Sequence, residues 1–482
     1  MFGMRRPRVL FPLLVAAIAT LIACSGGSRA MIPTEKPATL QPQSIVDVSG
    51  IPKHLPTMAF DEYNGQGSAG TQTMARTYLT YAESGRGNNK SVDDCRGSNA
   101  CFSVFYFLAN FVLTNGACTG VFETGFLKSA RESWYMHQPG HTDAAHRLIG
   151  HRVLACNGTI ASQPVWAVNN ANPAVQAYTR SYLRTYADSY DYYLMDETSA
   201  HNINQFYGPG AGMCPENPNS MPAPDLCPST EETPTDPALV QAHEAMFSAL
   251  THTNGSAMKL FFNGVTFRGG EPTDLDLIAE GTNVYAGMCE DCVVSHGTFR
   301  PSTYPSELNA MAAIDAIPNA SFIELNVGNA PAGSALQVQE RTITAAMAWL
   351  GYSPGHTIVF PNLEYSSKGL AIWPEFNVVP ANPIESMHTS YADVQVGARV
   401  FRREFAACYN FGTPIGQCAA IVNGQTSGSI TVNRAWLRQS YGHVLVLAGG
   451  DIASGGKISL TAQTFNPPAT SIPAGHAVLL VR

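Results

Sequence analysis

From about residue 55 to 390, short apolar runs alternate with helix-like stretches, and this alternation constrains the fold more than any single motif. The runs are Thr57–Phe60, Phe102–Leu108, Ser133–Met136, Tyr192–Met195, Lys259–Phe262, Asn283–Ala286, Ser321–Leu325 and Thr357–Phe360. Between them lie stretches such as Pro173–Tyr186, Asp236–Thr251 and Leu336–Leu350. Pro173 suits a first helical turn, and Asn172 can cap it. Eight strands, each returned by a helix, predict an α/β fold, the (β/α)8 TIM barrel, spread over about 330 residues with inserted loops. Four-residue apolar runs look alike in strands and turns, so the count carries a margin of one. The segment 207–235, crowded with Pro and Gly and holding Cys214 and Cys227, reads as an insertion after the fourth strand.

The pattern changes near residue 395. Val400-Phe401, Ala419–Val422, Ile430–Val432, His443–Leu447, Lys457–Leu460 and His476–Val481 are punctuated by Gly, Asn and Pro, with no helix pattern between them. They predict a small antiparallel β-sandwich. The expected organisation is therefore a barrel over 51–394 and a sandwich over 395–482.

At the N-terminus, Arg5, Arg6 and Arg8 precede an uncharged apolar run, Val9–Ala23, too short for a comfortable transmembrane helix. It ends in Leu21-Ile22-Ala23-Cys24-Ser25, which resembles a bacterial lipobox. The expectation is a signal peptide over 1–23, lipid on Cys24, and a polar tether over 24–50. The address is then the cell envelope, with Ser25 resembling the outer-membrane sorting pattern.

Cysteine usage agrees with export. Eleven Cys occur; without Cys24 the rest fall in neighbouring pairs: 95 and 101, 118 and 156, 214 and 227, 289 and 292, 408 and 418. Sequential disulfides are the simplest expectation in an oxidising compartment. With a single CxxC and no second ligand pair, no metal site is expected. Charged residues make up 13 %, about half the usual ~25 %, and net charge is −8 without a basic cluster beyond the signal. Nucleic acid is thereby excluded as a partner. No Gly-x-Ser-x-Gly elbow, P-loop or Gly-x-Gly-x-x-Gly occurs, so neither a serine hydrolase of that type nor a nucleotide cofactor is supported.

In a TIM barrel, chemistry belongs to the C-terminal strand ends. Here those ends carry Asp61-Glu62, Trp134 and His137, Asp196-Glu197, Asn263, Glu290-Asp291, Glu324 and Asn326, and Asn362 with Glu364. Paired carboxylates beside aromatic residues suit glycosidic-bond cleavage: one protonates the leaving oxygen, the other attacks or activates water. The bland alternative is that barrel mouths are simply polar.

The stretch Trp166–Glu197 is the most specific. Trp166, Asn169, Asn172-Pro173, Tyr178, Tyr190-Asp191 and Asp196-Glu197 resemble bacterial glycoside hydrolase families with TIM barrels; Tyr192 departs from the usual Gly. Ser133–His137 resembles the family's third-strand ending, and Pro473–Leu480 the close of its accessory sandwich. The resemblance implies Asp196 as the first catalytic carboxylate, with Glu197 its rival; alternation on a strand lets one of them face the axis. It implies Glu290 as the second; separately, the expected Cys289–Cys292 disulfide would hold Glu290 in place. Trp134, His137, Asn169 and Asn263 would line a carbohydrate cleft, with Glu364 in reserve. Three readings stand: a lipid-anchored glycoside hydrolase, a non-catalytic glycan-binding surface lipoprotein, and another barrel hydrolase such as a deacetylase or phosphodiesterase.

Overall fold

In the computed structural model, eight parallel strands pair in strict chain order: β1 (Met58–Phe60), β2 (Tyr81–Ser84), β3 (Phe102–Leu108), β4 (Tyr192–Asp196), β5 (Leu260–Asn263), β6 (Val284–Ser295), β7 (Ser321–Val327) and β8 (Thr357–Val359). The ring is closed by a parallel bridge from Thr57 to Val359 and by Val359 N–H donating to the Pro56 carbonyl at 2.9 Å. The structure describes residues 53–60, 69–85, 90–96, 100–108, 110–113, 120–137, 140–156, 159–196, 198, 236–268, 271–295, 297–328, 330–331, 333–360, 370, 372–387 and 390–482. Cys24, the signal and tether segments, Glu197, the 207–235 insertion and Glu364 lie outside them. No described helix is long and apolar enough to cross a membrane.

Among the described residues the α-helices are α1 (Ala69–Tyr78), α2 (Lys90–Cys95), α3 (Val121–Ser129), α4 (Pro173–Tyr186), α5 (Asp236–Ala249), α6 (Asp276–Glu280), α7 (Tyr304–Asp315) and α8 (Ala335–Gly351). Asn172 caps α4, accepting from Ala174 N–H at 2.9 Å, with Pro173 in the first turn as expected.

One of the eight expected strands is wrong and one barrel strand was not expected. Ser133–Met136 is not a barrel strand: a 3-10 turn over Glu132–Trp134 runs into a single bridge from Tyr135 to Val168. The missing strand is β2, Tyr-Ala-Glu-Ser. Half of it is polar, yet all four residues are buried, so hydropathy could not mark it. Trp134 and Tyr135 are apolar because both pack into a cluster of rings, not because they line a sheet. Between β3 and α4 the chain also inserts an antiparallel sheet of Phe111–Leu113, Ile149–Cys156 and Thr159–Ala167.

Period-two alternation sorts the strand residues. On β4, Tyr192 and Leu194 face the barrel interior while Tyr193 and Met195 pack outward against helices. The interior floor is aromatic: Tyr192 stacks on Phe261 at 4.7 Å, and Tyr81 meets both edge-on at 5.4 and 5.2 Å. Layered bulky side chains fill the ring, leaving its C-terminal end for polar groups. Outside, Gly287 of β6 permits close helix approach, because a Cβ there would meet Val265, Ile278 and Phe262 at 2.7, 2.8 and 3.0 Å.

The C-terminal part is an antiparallel sheet of β9 (Val378–Pro383), β10 (Val400–Asn410), β11 (Thr413–Asn423), β12 (His443–Ala448), β13 (Lys457–Thr464) and β14 (Ala477–Val481), in the order β9-β10-β11-β14-β12-β13. A short strand, Gln395–Gly397, adds to β10. The sheet's first strand thus precedes residue 395. One face, with Ile421 and Leu480, packs with Val432 and Ile472 beneath a two-stranded ribbon, Ser429–Thr431 with Ser471–Pro473. The other, with Phe405, Val422 and Leu479, joins the same apolar cluster as α8. Burial on both sides fits the expected sandwich.

Candidate active site

Asp196 ends β4 on the inward face begun by Tyr192 and Leu194, and is 4 % exposed. Asn263 ends β5 on the inward face of Phe261. Glu290 follows Met288 inward on β6. These three residues meet. The Asn263 side-chain amide donates to Asp196 Oδ1 at 2.8 Å and to Glu290 Oε2 at 2.7 Å. Two oxygens held by one nitrogen are less than about 5.5 Å apart, since each lies within hydrogen-bond reach of it. The other Asp196 oxygen, Oδ2, accepts from the Tyr106 hydroxyl of β3.

The strand ends that carry these groups are themselves tied. Thr198 N–H donates to the Asn263 carbonyl at 3.0 Å, and its hydroxyl donates to the Met195 carbonyl at 3.0 Å. Beyond Glu290 the β6–β7 register shifts, and Asp291 adopts a left-handed backbone with φ of 62°. That conformation is uncommon for a residue with a Cβ. Here it is held by the Cys289–Cys292 disulfide (Cα–Cα 5.9 Å) and by Arg300 donating to the Asp291 carbonyl at 2.8 Å. Both cysteines are buried on the outer side while Glu290 faces inward. Cys95–Cys101 and Cys408–Cys418 are also paired, with Cα–Cα of 5.1 and 6.0 Å. The pairs 118–156 and 214–227 involve residues outside those described.

Two mouth residues escape sequence reading. Tyr106 lies inside an apolar run that gives no hint of a polar contact. Glu83 of β2, fully buried on the same strand face as Tyr81, was lost with its strand. The available signal was an acidic residue five positions after the end of α1.

Trp134 and His137 do not stand at a barrel-strand end, because their supposed strand is part of the insertion; nor does Asn169, which follows the insertion's strand Thr159–Ala167. Trp134 is 8 % exposed and packs against Phe126 and Tyr178 at 5.1 and 5.6 Å. His137 Nε2 bonds Glu132 Oε1 at 2.8 Å. Arg147 bonds both oxygens of the same carboxylate and holds it down to about pKa 2, with a smaller contribution from His137. The Asn169 amide donates to the Ser133 carbonyl at 3.2 Å. Tyr190 and Asp191, carried by the same resemblance, immediately precede β4 and tie its start to β2 and β3. Asp191 Oδ2 accepts from the Ser103 N–H and hydroxyl, each at 2.8 Å, and the Tyr190 and Ser84 hydroxyls are 2.9 Å apart.

Glu324 and Asn326 are also displaced from the mouth. On β7, Ile323 and Leu325 point inward, so Glu324 and Asn326 point outward, toward the helices. Asn326 accepts from Val293 and Val294 N–H at 2.8 and 3.0 Å and donates to Glu324 at 2.6 Å. Burial pushes Glu324 up to about pKa 8, partly offset by that donor. Burial, then the nearby Glu324, raises Glu307 of α7 well above the usual carboxylate range. Among the described residues, the one set of three clustered metal donors, His141, Asp143 and His146, lies in the insertion and not at the mouth.

No family model and no curated protein matches the sequence. Solved structures with partial likeness include a Paenibacillus sp. cycloisomaltooligosaccharide glucanotransferase complexed with cycloisomaltoheptaose (11 % identity, TM-score 0.34, covering 89 % of this chain and 55 % of that one). An Aspergillus niger xylosidase (9 %, 0.38, 90 % and 65 %) and a GH30 endoxylanase from Clostridium papyrosolvens C71 (8 %, 0.31, 89 % and 97 %) are others. These neighbours are glycoside hydrolases and a glucanotransferase. Overlaps of this size carry no argument about this chain, whose barrel is established by its own strand order.

Proposed function

We propose that this chain is a glycoside hydrolase of the retaining type, acting on a poly- or oligosaccharide. The observation that carries the reading is the Asn263 amide, which holds Asp196 and Glu290 together at the inward end of β4 and β6. Retaining enzymes keep their two carboxyl groups about 5–5.5 Å apart, whereas inverting enzymes need about 6.5–9.5 Å to admit water. Nearest carboxylate oxygens less than about 5.5 Å apart support the former. This closeness also favours an enzyme over a glycan-binding barrel, which needs no second carboxylate at that spacing.

The hydrogen bonds distinguish the roles. Asp196 accepts from the Asn263 amide and the Tyr106 hydroxyl, which fix its orientation. It is the nucleophile, attacking the anomeric carbon to form a glycosyl ester. Glu290, half-buried, protonates the departing oxygen, then takes a proton from the water that hydrolyses the ester. Asn263 positions both.

The test is hydrolysis of a glycan panel by the purified protein beside Asp196→Asn, with product anomers followed by NMR. Loss of activity in the variant and retained configuration are expected; an inverted product, or an active Asp196→Asn, overturns the assignment. Export and lipidation at Cys24 belong to the same proposal, supported by the lipobox-like sequence and the disulfides. Mass spectrometry of the mature N-terminal peptide checks it; an unmodified Cys24 in the processed chain would refute it.

A further inference from the structure

We propose that Asn326 is a positioning residue for Glu290, acting through the bulge of β6 that follows it; the assignment rests on the reading of Glu290 as the general acid. Beyond Glu290 the two strands lose step. Glu290 pairs with Leu325 and Ser295 with Val327, so the four residues Asp291–Val294 of β6 stand opposite Asn326 alone. The backbone of one residue cannot pair with four. Asn326 makes up part of the difference with its side chain. Its Oδ1 accepts from the Val293 and Val294 N–H groups at 2.8 and 3.0 Å. All three residues are buried, where an unpaired N–H is costly.

The amide is itself held. Backbone N–H groups only donate, so the Asn326 oxygen must face them and its NH2 must face away. That NH2 donates to Glu324 Oε1 at 2.6 Å and to the Thr344 hydroxyl of α8 at 3.3 Å. Thr344 spends its own proton on the Glu340 carbonyl at 3.0 Å, so its oxygen serves as acceptor. Other ties of the bulge run to the chain that follows it. Arg300 donates to the Asp291 carbonyl at 2.8 Å, and the Thr303 hydroxyl donates to the Cys292 carbonyl. The contacts of Asn326 are the ones that fasten the bulge to the neighbouring barrel strand. Glu290 stands at the base of that bulge and meets the Asn263 amide at 2.7 Å. Catalysis is sensitive to such placement, a shift of about 1 Å costing about 100-fold in rate. Leu in place of Asn326 offers no acceptor, and Asp offers no donor toward Glu324.

The test uses the full chain, purified in detergent, with Asn326→Leu. Asn326→Ser replaces it if circular dichroism shows that the first variant does not fold. Hydrogen exchange read by mass spectrometry should quicken at least about tenfold in the peptide spanning 289–295, with α4 and the C-terminal sheet unchanged. Labelling of Glu290 by a carbodiimide with glycine ethyl ester should change at least about threefold as its support loosens. On unactivated sugars kcat/KM should fall about 10–100-fold, with aryl glycosides of good leaving groups much less affected. Added to Glu290→Gln, the variant should bring no further loss on unactivated sugars, because no acid remains to be aimed. Equal losses on both substrates, or losses that multiply in the double variant, would assign Asn326 a general structural role and overturn the proposal. Unchanged exchange and unchanged Glu290 labelling in a folded variant would also overturn it. A wild type that cleaves no glycan defeats the proposed function instead, and exchange and labelling then still decide whether Asn326 holds Glu290.

Discussion

Asn263 is the residue on which the candidate site converges, and its neighbours can be tested one at a time. A general acid matters most when the leaving group is poor. Glu290→Gln should therefore lower kcat/KM about 10²–10⁴-fold on unactivated sugars, yet leave aryl glycosides with good leaving groups much less affected. Equal losses on both would remove Glu290 from the acid role. Tyr106→Phe deletes one hydrogen-bond donor to the Asp196 carboxylate. Hydrogen bonds to charged groups contribute about 1.5–3 kcal/mol, so a roughly 10–100-fold fall in kcat/KM is expected, with unchanged thermal stability as the control. Full activity in Tyr106→Phe would show that the Tyr106 hydroxyl does not orient the nucleophile. Asp196 was legible from its place at the end of an apolar run. Tyr106 was not, since nothing local distinguishes a tyrosine that fills the barrel from one that reaches a carboxylate.

At the scale of the element, β7 shows how a one-residue change in facing alters chemistry. Glu324 lies in the middle of β7, paired with Cys289 next to Glu290, yet faces α7, where burial pushes it up to about pKa 8 and Glu307 well above the usual carboxylate range. A carboxyl whose folded pKa is raised stabilises the fold most below its ordinary pKa near 4.5; that contribution is lost as pH rises toward about 8. Glu324→Gln mimics the protonated form. Its melting temperature should match wild type near pH 4.5 and exceed it at pH 8, by roughly 2–4 °C for each kcal/mol of relieved charge burial. Parallel melting curves across that range for both proteins would contradict the buried-acid reading. The element also explains the missed strand. β2 holds Glu83 and Ser84 in a buried position, so its polarity concealed it, while the Trp134 turn carried apolar residues for packing of another kind.

At the scale of the whole chain, α8 joins the barrel to the C-terminal sheet. Arg341 and Glu375, both fully buried, form a two-bond pair; Arg341 also donates to the Gly449 carbonyl at 2.8 Å and stacks over Trp373 at 4.2 Å. Arg403 of β10 donates to the Leu350 and Tyr352 carbonyls at 2.7 and 2.8 Å, satisfying the end of α8. Removing one partner of a buried pair leaves an uncompensated charge, so Arg341→Met should cost about 3–5 kcal/mol, with Glu375→Gln in the same chain restoring part of it. Urea unfolding followed by tryptophan fluorescence measures this. A loss below about 1 kcal/mol would mean the pair is better solvated than its burial indicates.

The sequence by itself determined the β/α alternation, the antiparallel C-terminal part, three of the near-neighbour disulfides and the carboxylates at the ends of β4 and β6. These are local properties: periodicity, spacing and residue type report on structure within a few residues. Only the tertiary structure decided that Tyr81–Ser84 completes the ring and that Ser133–Met136 does not. It alone decided that Glu290 faces the axis while Glu324 faces a helix, and that one amide binds two carboxylates from non-adjacent strands. The physical reason is that facing and contact depend on closure of the sheet. Until β1 meets β8, neither side of a strand is the inside, and no pattern along the chain records which side will become so.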